Sequence, residues 1–214
     1  MTVPDSRPSK SARELRVLYR ELAPWMDGLR ILDRLLLGRW RLELLSQAHG
    51  RVLEVACGAG TNLPFLPVGT EYVGADLSRD MLRRARRHSM EGGLPRPFLQ
   101  TDAQHLPFAD HTFDTVCSAL STCTFPDPVA ALREMGRVVK PHGRILLLEH
   151  GRSRVGALAR LQDRLAPRHF ERHGCRWNQD PARVVARAGL PVLRKSPGFL
   201  GILVAMQLAP SDTR

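Results

Sequence analysis

At 214 residues and 43% hydrophobic, the chain can bury one full core and reads as a single domain with helical extensions. It has no run of about 18 apolar residues, the length a membrane-spanning helix needs. Its opening MTVPDSRPSKSARELR lacks the apolar segment and small-residue cleavage site of a signal peptide. The net charge of +11, with arginine supplying 29 of 32 basic residues, fits a solvated basic exterior, an anionic membrane surface or nucleic acid.

Residues 1–11 read as a disordered tail. Ala12 to Leu45 read as helices, with Arg13, Arg16, Arg20, Arg30, Arg34, Arg39 and Arg41 mixed among Leu32, Leu35, Leu36, Trp40, Leu44 and Leu45 at helical spacing. The preferred reading packs this amphipathic face on its own domain, since a core there needs covering. The other reading lays it on lipid. From Arg51, strand and helix alternate. Val52 to Ala56 is a strand, Thr61 to Leu66 opens a helix and Glu71 to Asp76 is a second strand. Ser78 caps a helix running through His88. Pro97 to Gln100 and Thr112 to Ser118 are strands, Pro128 to Val139 is a helix and Lys140 to Gly143 is a turn. Arg144 to Glu149 is a strand apolar on both faces, as parallel sheets require. Beyond Gly151 a helix is expected around Val155 to Leu165, then a loop rich in His, Arg and aromatics. Pro181 to Ala188 is a helix. Leu190 to Lys195 and Gly201 to Leu208 are strands joined by the hairpin-like turn SPGFLG.

Cys57, Cys117 and Cys123 lie in or beside strand-like stretches. No CxxC pair joins them or Cys175, so free thiols in a reducing cytoplasm are expected. The eight histidines show no HxxxH or Cys/His spacing, and no metal is expected.

The first strand runs into Gly58-Ala59-Gly60. A nicotinamide fingerprint would need a third glycine, and Thr61-Asn62-Leu63 does not supply it. Glu54, four residues before Gly58, would repel a pyrophosphate and suits a cationic ligand. S-adenosylmethionine carries a sulfonium and an ammonium, and no phosphate. Asp76, 18 residues after Gly58, can accept from both ribose hydroxyls. Asp102, between Thr101 and Ala103, can accept from an adenine amino group, with Leu77 or Met81 packing on the adenine face. Each signal is weak alone; the ordered set in a βαβαβ frame is strong.

VLEVACGAGTNLPFL, YVGADLSRDMLRRAR, QTDAQHLPFADHTFDTV and ALREMGRVVKPHGRILLLEH together resemble the class I S-adenosylmethionine-dependent methyltransferases. The nearest branches hold quinone-biosynthesis C-methyltransferases, phosphatidylethanolamine N-methyltransferases and methyltransferase-like thiol methyltransferases. The resemblance implies a Rossmann-like α/β fold: a seven-stranded, mostly parallel sheet with helices on both faces and the last strand antiparallel. It implies S-adenosyl-L-methionine as cofactor and S-adenosyl-L-homocysteine as product. Glu54, through a bridging donor, and Cys57 to Gly60 would face the methionine moiety. Asp76 would hold the ribose, Thr101, Asp102 and Ala103 the adenine, and Ser118 would lie near the amino group. Asn62 would contact the cofactor carboxylate or merely cap a helix. The division expected is a helical cap over 12–48, a cofactor-binding core over 49–151, an acceptor-side lid over 152–180, and a C-terminal helix and hairpin over 181–214.

His150, at the carboxyl edge of the fifth strand, is a candidate base toward the acceptor. Tyr19, in YRELAPWMDGL, resembles the aromatic that these families fold over the cofactor; Trp25 reads as a core residue. RHGCRWNQD resembles the GC-x-x-N-x-D stretch of the phospholipid and thiol branches, at Cys175, Asn178 and Asp180. The expected acceptor is a small or amphipathic molecule: a phospholipid amine, a small thiol or a natural-product nucleophile. A quinone-precursor carbon is the alternative, and a non-catalytic cofactor-binding partner protein is a weaker one. Peripheral contact with an anionic membrane is a further expectation. RNA methylation, prompted by the net charge of +11, is another weaker alternative, because Cys117-Ser118-Ala119-Leu120 stands where the amino-N-methylating enzymes carry an Asn/Asp-Pro-Pro-aromatic run and aromatics are only 6%.

Overall fold

The computed structural model describes residues 9–210; most of the expected N-terminal tail, residues 1–8, lies outside them. Helix α1 (Ala12–Gly28) starts at Ser11, whose hydroxyl accepts from the Glu14 N–H while the Glu14 carboxylate accepts from the Ser11 N–H at 2.8 Å. Helix α2 (Arg30–Leu45) follows after one residue. The alternating region then gives β1 (Arg51–Val55), β2 (Glu71–Asp76), α3 (Arg79–Glu91), β3 (Phe98–Gln100), β4 (Phe113–Ala119), α4 (Pro128–Val138) and β5 (Val139–His150). The chain continues through α5 (Gly156–His173), α6 (Pro181–Ala188), β6 (Val192–Gly198) and β7 (Leu203–Leu208). The seven strands lie in the order β3-β2-β1-β4-β5-β7-β6, with β7 antiparallel to both neighbours and β1 to β5 parallel. This is the sheet that the resemblance implied.

The two-residue period of the strands sorts side chains onto two layers. Leu53, Val55, Ile145 and Leu147 face α4 and α6, where they meet Leu132, Met135, Val184 and Val185. Val52, Tyr72, Leu146 and Leu148 face α2 and meet Leu44 and Leu45. Each such side chain contributes on the order of 1.5–3 kcal/mol by leaving water. Glu54 shares parity with Val52 and therefore lies on the α2 side of the sheet. Its β2 partner in the register is Gly74. A Cβ on Gly74 would lie 2.8 Å from the Tyr72 hydroxyl and 2.6 Å from the Phe98 ring. The missing side chain leaves the room through which Tyr72 reaches Glu54.

Four expectations need correction. The helix expected from Thr61 is only a 3-10 turn, Leu63–Phe65. Pro67 pushes the residue before it out of the α region, and Leu66 is extended at ψ 143°. The turn expected at Lys140 to Gly143 is absorbed into a longer β5, with a register shift opposite Phe113 and Thr115. The His-, Arg- and aromatic-rich stretch after Leu165 is helical to His173, with Pro167 inside it, and ends on Gly174 in the left-handed region (φ 65°). Finally, β6 runs through SPG, and the turn is formed by Phe199–Gly201, with Phe199 at φ 49° and Leu200 at φ 58°. Bulky residues pay for left-handed φ values, so something must hold them there.

Candidate functional site

The strands β1, β2 and β4 end together, and their connections diverge to leave a cleft where sheets of this type bind ligands. Above these ends lies a cavity of about 600 Å³, roofed by α1 and α2. The turn beneath it alternates left-handed positions at Ala56, Gly58 and Gly60, with φ of 55°, 54° and 79°. A Cβ on Gly58 would meet nothing within 4 Å, so its backbone forms an open floor.

Asp76 organises this floor. One carboxylate oxygen accepts from the Gly58 N–H and the other from the Ser78 N–H, both at 2.8 Å. The backbone amide that a phosphate would need is therefore occupied by the protein's own anion. No α-helix begins behind the turn to add its dipole, which leaves a dinucleotide without its usual cradle. Burial raises the Asp76 pKa despite those two bonds and one to Leu77.

Glu54 is buried at the cavity wall. It accepts from Asn62 Nδ2 at 2.7 Å and from the Tyr72 hydroxyl at 2.6 Å. Asn62 in turn accepts from Arg41, whose guanidinium is paired with Asp33 at 2.9 and 3.0 Å. A chain of hydrogen bonds thus runs from α2 into β1 and β2. Asn62 makes no side-chain cap, which removes the plainer of its two readings. Sequence reasoning placed Arg41 among surface basic residues and missed this clamp. The eight-residue gap from Asp33 to Arg41 is two helical turns, the only linear signal available.

Burial pushes the Glu54 carboxyl up to about 7, against the hydrogen bonds from Tyr72 and Asn62 and the Arg41 charge; Asp76 adds to the rise. A carboxyl raised above its ordinary 4.5 stabilises the fold while it is protonated. That contribution is full below pH 4.5 and is lost as pH rises through about 7. Burial likewise pushes Glu149 up to about 7, with the same sign. Glu54→Gln is therefore expected to make the fall in thermal midpoint between about pH 5 and about pH 8 shallower. An unchanged slope in a pH series of melting curves would contradict this.

The other predicted side chains divide. Cys57, Ala59, Leu77, Met81, Thr101, Asp102 and Ala103 line the cavity, as does Tyr19 from α1. The Asp102 carboxylate accepts from the Gln104 N–H at 3.0 Å and from its amide at 2.9 Å. Gly60, Ser118 and His150 do not line it. The Ser118 hydroxyl donates to the Val55 carbonyl at 2.7 Å and ties β4 to β1; Ala119, Leu120 and Ser121 form the wall instead. Trp25 is 59% exposed rather than in the core, stacked 6.3 Å from the His173 ring of α5 and bordering the cavity. Burial, with neighbouring Cys123 and Cys175, raises the Tyr19 pKa far beyond neutral, so its phenol stays protonated.

His150 instead meets two thiols. Its Nε2 is 3.3 Å from Cys123 Sγ and 3.4 Å from Cys175 Sγ. Burial alone would lower its pKa, but the Cys175 and Glu149 contacts raise it. Hydrogen bonding to Cys123 and to His150 makes Cys175 the more acidic thiol, while Cys123 is pushed up by Cys175 and by burial. None of the four cysteines is in a disulfide. Among the described residues, no helix is long and apolar enough to cross a membrane.

Residues 53–147 match the family model described as "Methyltransferase domain". The chain is 30% identical over 212 residues to Saccharomyces cerevisiae methyltransferase OMS1, mitochondrial, covering 89% of this chain and 45% of that protein. It is 37% identical over 152 residues to Cereibacter sphaeroides phosphatidylethanolamine N-methyltransferase, covering 69% and 73%. It is 40% identical over 143 residues to Thermus thermophilus demethylmenaquinone methyltransferase, covering 62% and 64%. The chain thus spans less than half of the yeast relative's length and about two thirds or more of the two bacterial ones.

Proposed function

This chain belongs to the class I S-adenosylmethionine-dependent methyltransferases, and from that membership we propose that it methylates an amine carried on an amphipathic, lipid-like acceptor. Asp76 would accept from the ribose hydroxyls, and Asp102 with the Ala103 N–H would hold the adenine, with Leu77 and Met81 available to pack against its face. The Asn62 amide, held between Glu54 and Arg41, faces the amino-acid end. The residues fit the group: the floor above Gly58 is open, and the carboxylates of Glu54 and Asp76 match a cationic, phosphate-free ligand. When bound, S-adenosylmethionine supplies an electrophilic methyl and a neutral thioether leaving group.

The observation that carries the acceptor is a set of apolar side chains shared between the cavity and its exposed rim. Leu32 and Leu36 of α2, and Phe199 of the strained turn, line the cavity and also face solvent. Ile31, Leu35 and Leu200 extend that surface, with Arg30 and Arg34 on the same helix. A headgroup can enter toward the sulfonium while its greasy body stays in the groove. The left-handed turn at Phe199 and Leu200 presents two large, exposed apolar side chains, Phe199 in the cavity lining.

What supports nitrogen is that the described residues lining the cavity offer no uncommitted base. The cavity-lining carboxylates are Asp33, paired with Arg41, and Glu54, Asp76 and Asp102, which are given to the cofactor in this reading. No imidazole lines it among the described residues, and Tyr19 keeps its proton. An amine that has lost its proton to water brings its own lone pair and then needs only alignment and exclusion of water, whereas a phenol or carbon acid calls for a positioned base at the reacting atom. Tyr19 closes the wall from α1 and positions the incoming group with its hydroxyl.

The test offers methyl-labelled donor together with vesicles holding or lacking an aminophospholipid, a soluble quinone precursor and a small thiol. Label in the lipid amine supports the reading. Label in the quinone ring or the thiol, with none in the lipid, overturns it.

A further inference from the structure

Three segments far apart in the chain meet behind the β4 end of the cavity. Cys123 follows β4, His150 ends β5, and Cys175 follows the left-handed Gly174 that terminates α5. The two sulfurs are 3.2 Å apart, and His150 Nε2 lies 3.3 and 3.4 Å from them, so the donor atoms form a nearly equilateral triangle. Cys123 is buried, while His150 and Cys175 are half-buried. His169 of α5 reaches Cys175, and its ring is stacked 4.4 Å from Trp177. The Cys175 loop is already docked, since the Arg176 N–H donates to the Cys123 carbonyl at 3.0 Å.

We propose that Cys123, His150 and Cys175 bind a thiophilic divalent cation of the zinc type, with His169 placed to complete a fourth position. Two thiols and an imidazole select a soft ion over magnesium or calcium, which prefer oxygen donors. Zinc–sulfur bonds near 2.3 Å and zinc–nitrogen bonds near 2.0–2.1 Å in a tetrahedral array require the triangle to open by roughly half an ångström. The loop after Gly174 is the segment able to supply that movement. On binding, two sulfur–metal bonds form, both thiol protons leave to solvent and no electron is transferred. The ion would clamp the segment over residues 152–180 onto the ends of β4 and β5. Thr124, beside Cys123, lines the cavity, so the clamp fixes one wall of the site. It is a structural site and not a catalytic one, because none of the three ligands lines the cavity.

The full chain, purified with reductant and stripped by chelator, is titrated first with cobalt(II) and then with zinc against a chromophoric chelator. One ion per chain is expected, with a thiolate-to-cobalt charge-transfer band and a rise in thermal midpoint. Cys123→Ser and Cys175→Ser should each weaken binding by at least about 100-fold, whereas Cys117→Ala, outside the cluster, should not. His169→Ala should weaken it less. The wild-type spectrum decides even where a serine variant fails to fold. Absence of the charge-transfer band in folded wild type overturns the proposal. So does thiol counting that shows Cys123 and Cys175 joined in a disulfide the titrated metal cannot displace. None of these readouts involves methyl transfer, so the outcome stands apart from the proposed activity.

Discussion

Asp76→Ala is expected to weaken S-adenosylmethionine binding by about 100-fold or more. The carboxylate now serves two backbone N–H groups at 2.8 Å, from Gly58 and Ser78. It is buried at the cavity floor, where burial raises its pKa. In the proposed complex its remaining lone pairs accept from two ribose hydroxyls. Hydrogen bonds to a charged group contribute about 1.5–3 kcal/mol each, so even the low end for two is about 3 kcal/mol, a factor of about 100 in affinity. The substitution also leaves the two N–H groups without their acceptor, which loosens the turn that shapes the floor. Calorimetry on Asp76→Ala and Asp76→Asn separates these effects. Asparagine keeps an acceptor for the turn but loses the charge, and should fall between wild type and alanine. Binding within about threefold of wild type in the alanine variant would remove Asp76 from the site.

The second large effect is expected on vesicles. Ile31→Asp combined with Leu35→Asp should weaken association with vesicles containing anionic lipid by roughly 100-fold, leaving turnover of a soluble short-chain acceptor unchanged. These side chains are 69% and 77% exposed, are spaced one turn apart on α2 and do not line the cavity. Burying an apolar side chain of this size gives about 1.5–3 kcal/mol; losing two at the low end is about 3 kcal/mol, before the cost of desolvating the new carboxylates. Arg30 and Arg34 add attraction of about 1 kcal/mol each near an anionic surface, screened by salt. Cosedimentation at low and high salt reads both parts. Equal loss of soluble turnover would mean the substitutions damaged the cap itself. Undiminished vesicle association would mean that this face does not dock on lipid.

That helix illustrates how far linear pattern reaches. Its apolar spacing was legible, and packing on the protein's own core was the preferred reading. The helix splits instead: Leu44 and Leu45 are buried against the sheet, while Ile31, Leu32, Leu35 and Leu36 face outward. A helical period states that one face is apolar. It does not state what covers that face, because the covering surface comes from elsewhere in the chain or from outside it.

The sequence by itself determined the frame: a parallel sheet from strands apolar on both faces, a glycine turn after β1, and carboxylates at the ends of β1, β2 and β3 whose spacing chose a cationic nucleoside over a dinucleotide. These follow from short-range rules, since a strand end, a turn and the next residues are fixed relative to one another by the backbone. Only the tertiary structure decided which side chains share the cavity. It turned Ser118 to the Val55 carbonyl, buried Arg41 beside Asn62 and took His150 out of the cavity to meet Cys123 and Cys175. The two cysteines are 52 residues apart, and no local period encodes such a distance. Their meeting depends on where β4, β5 and α5 come to rest when the whole core closes.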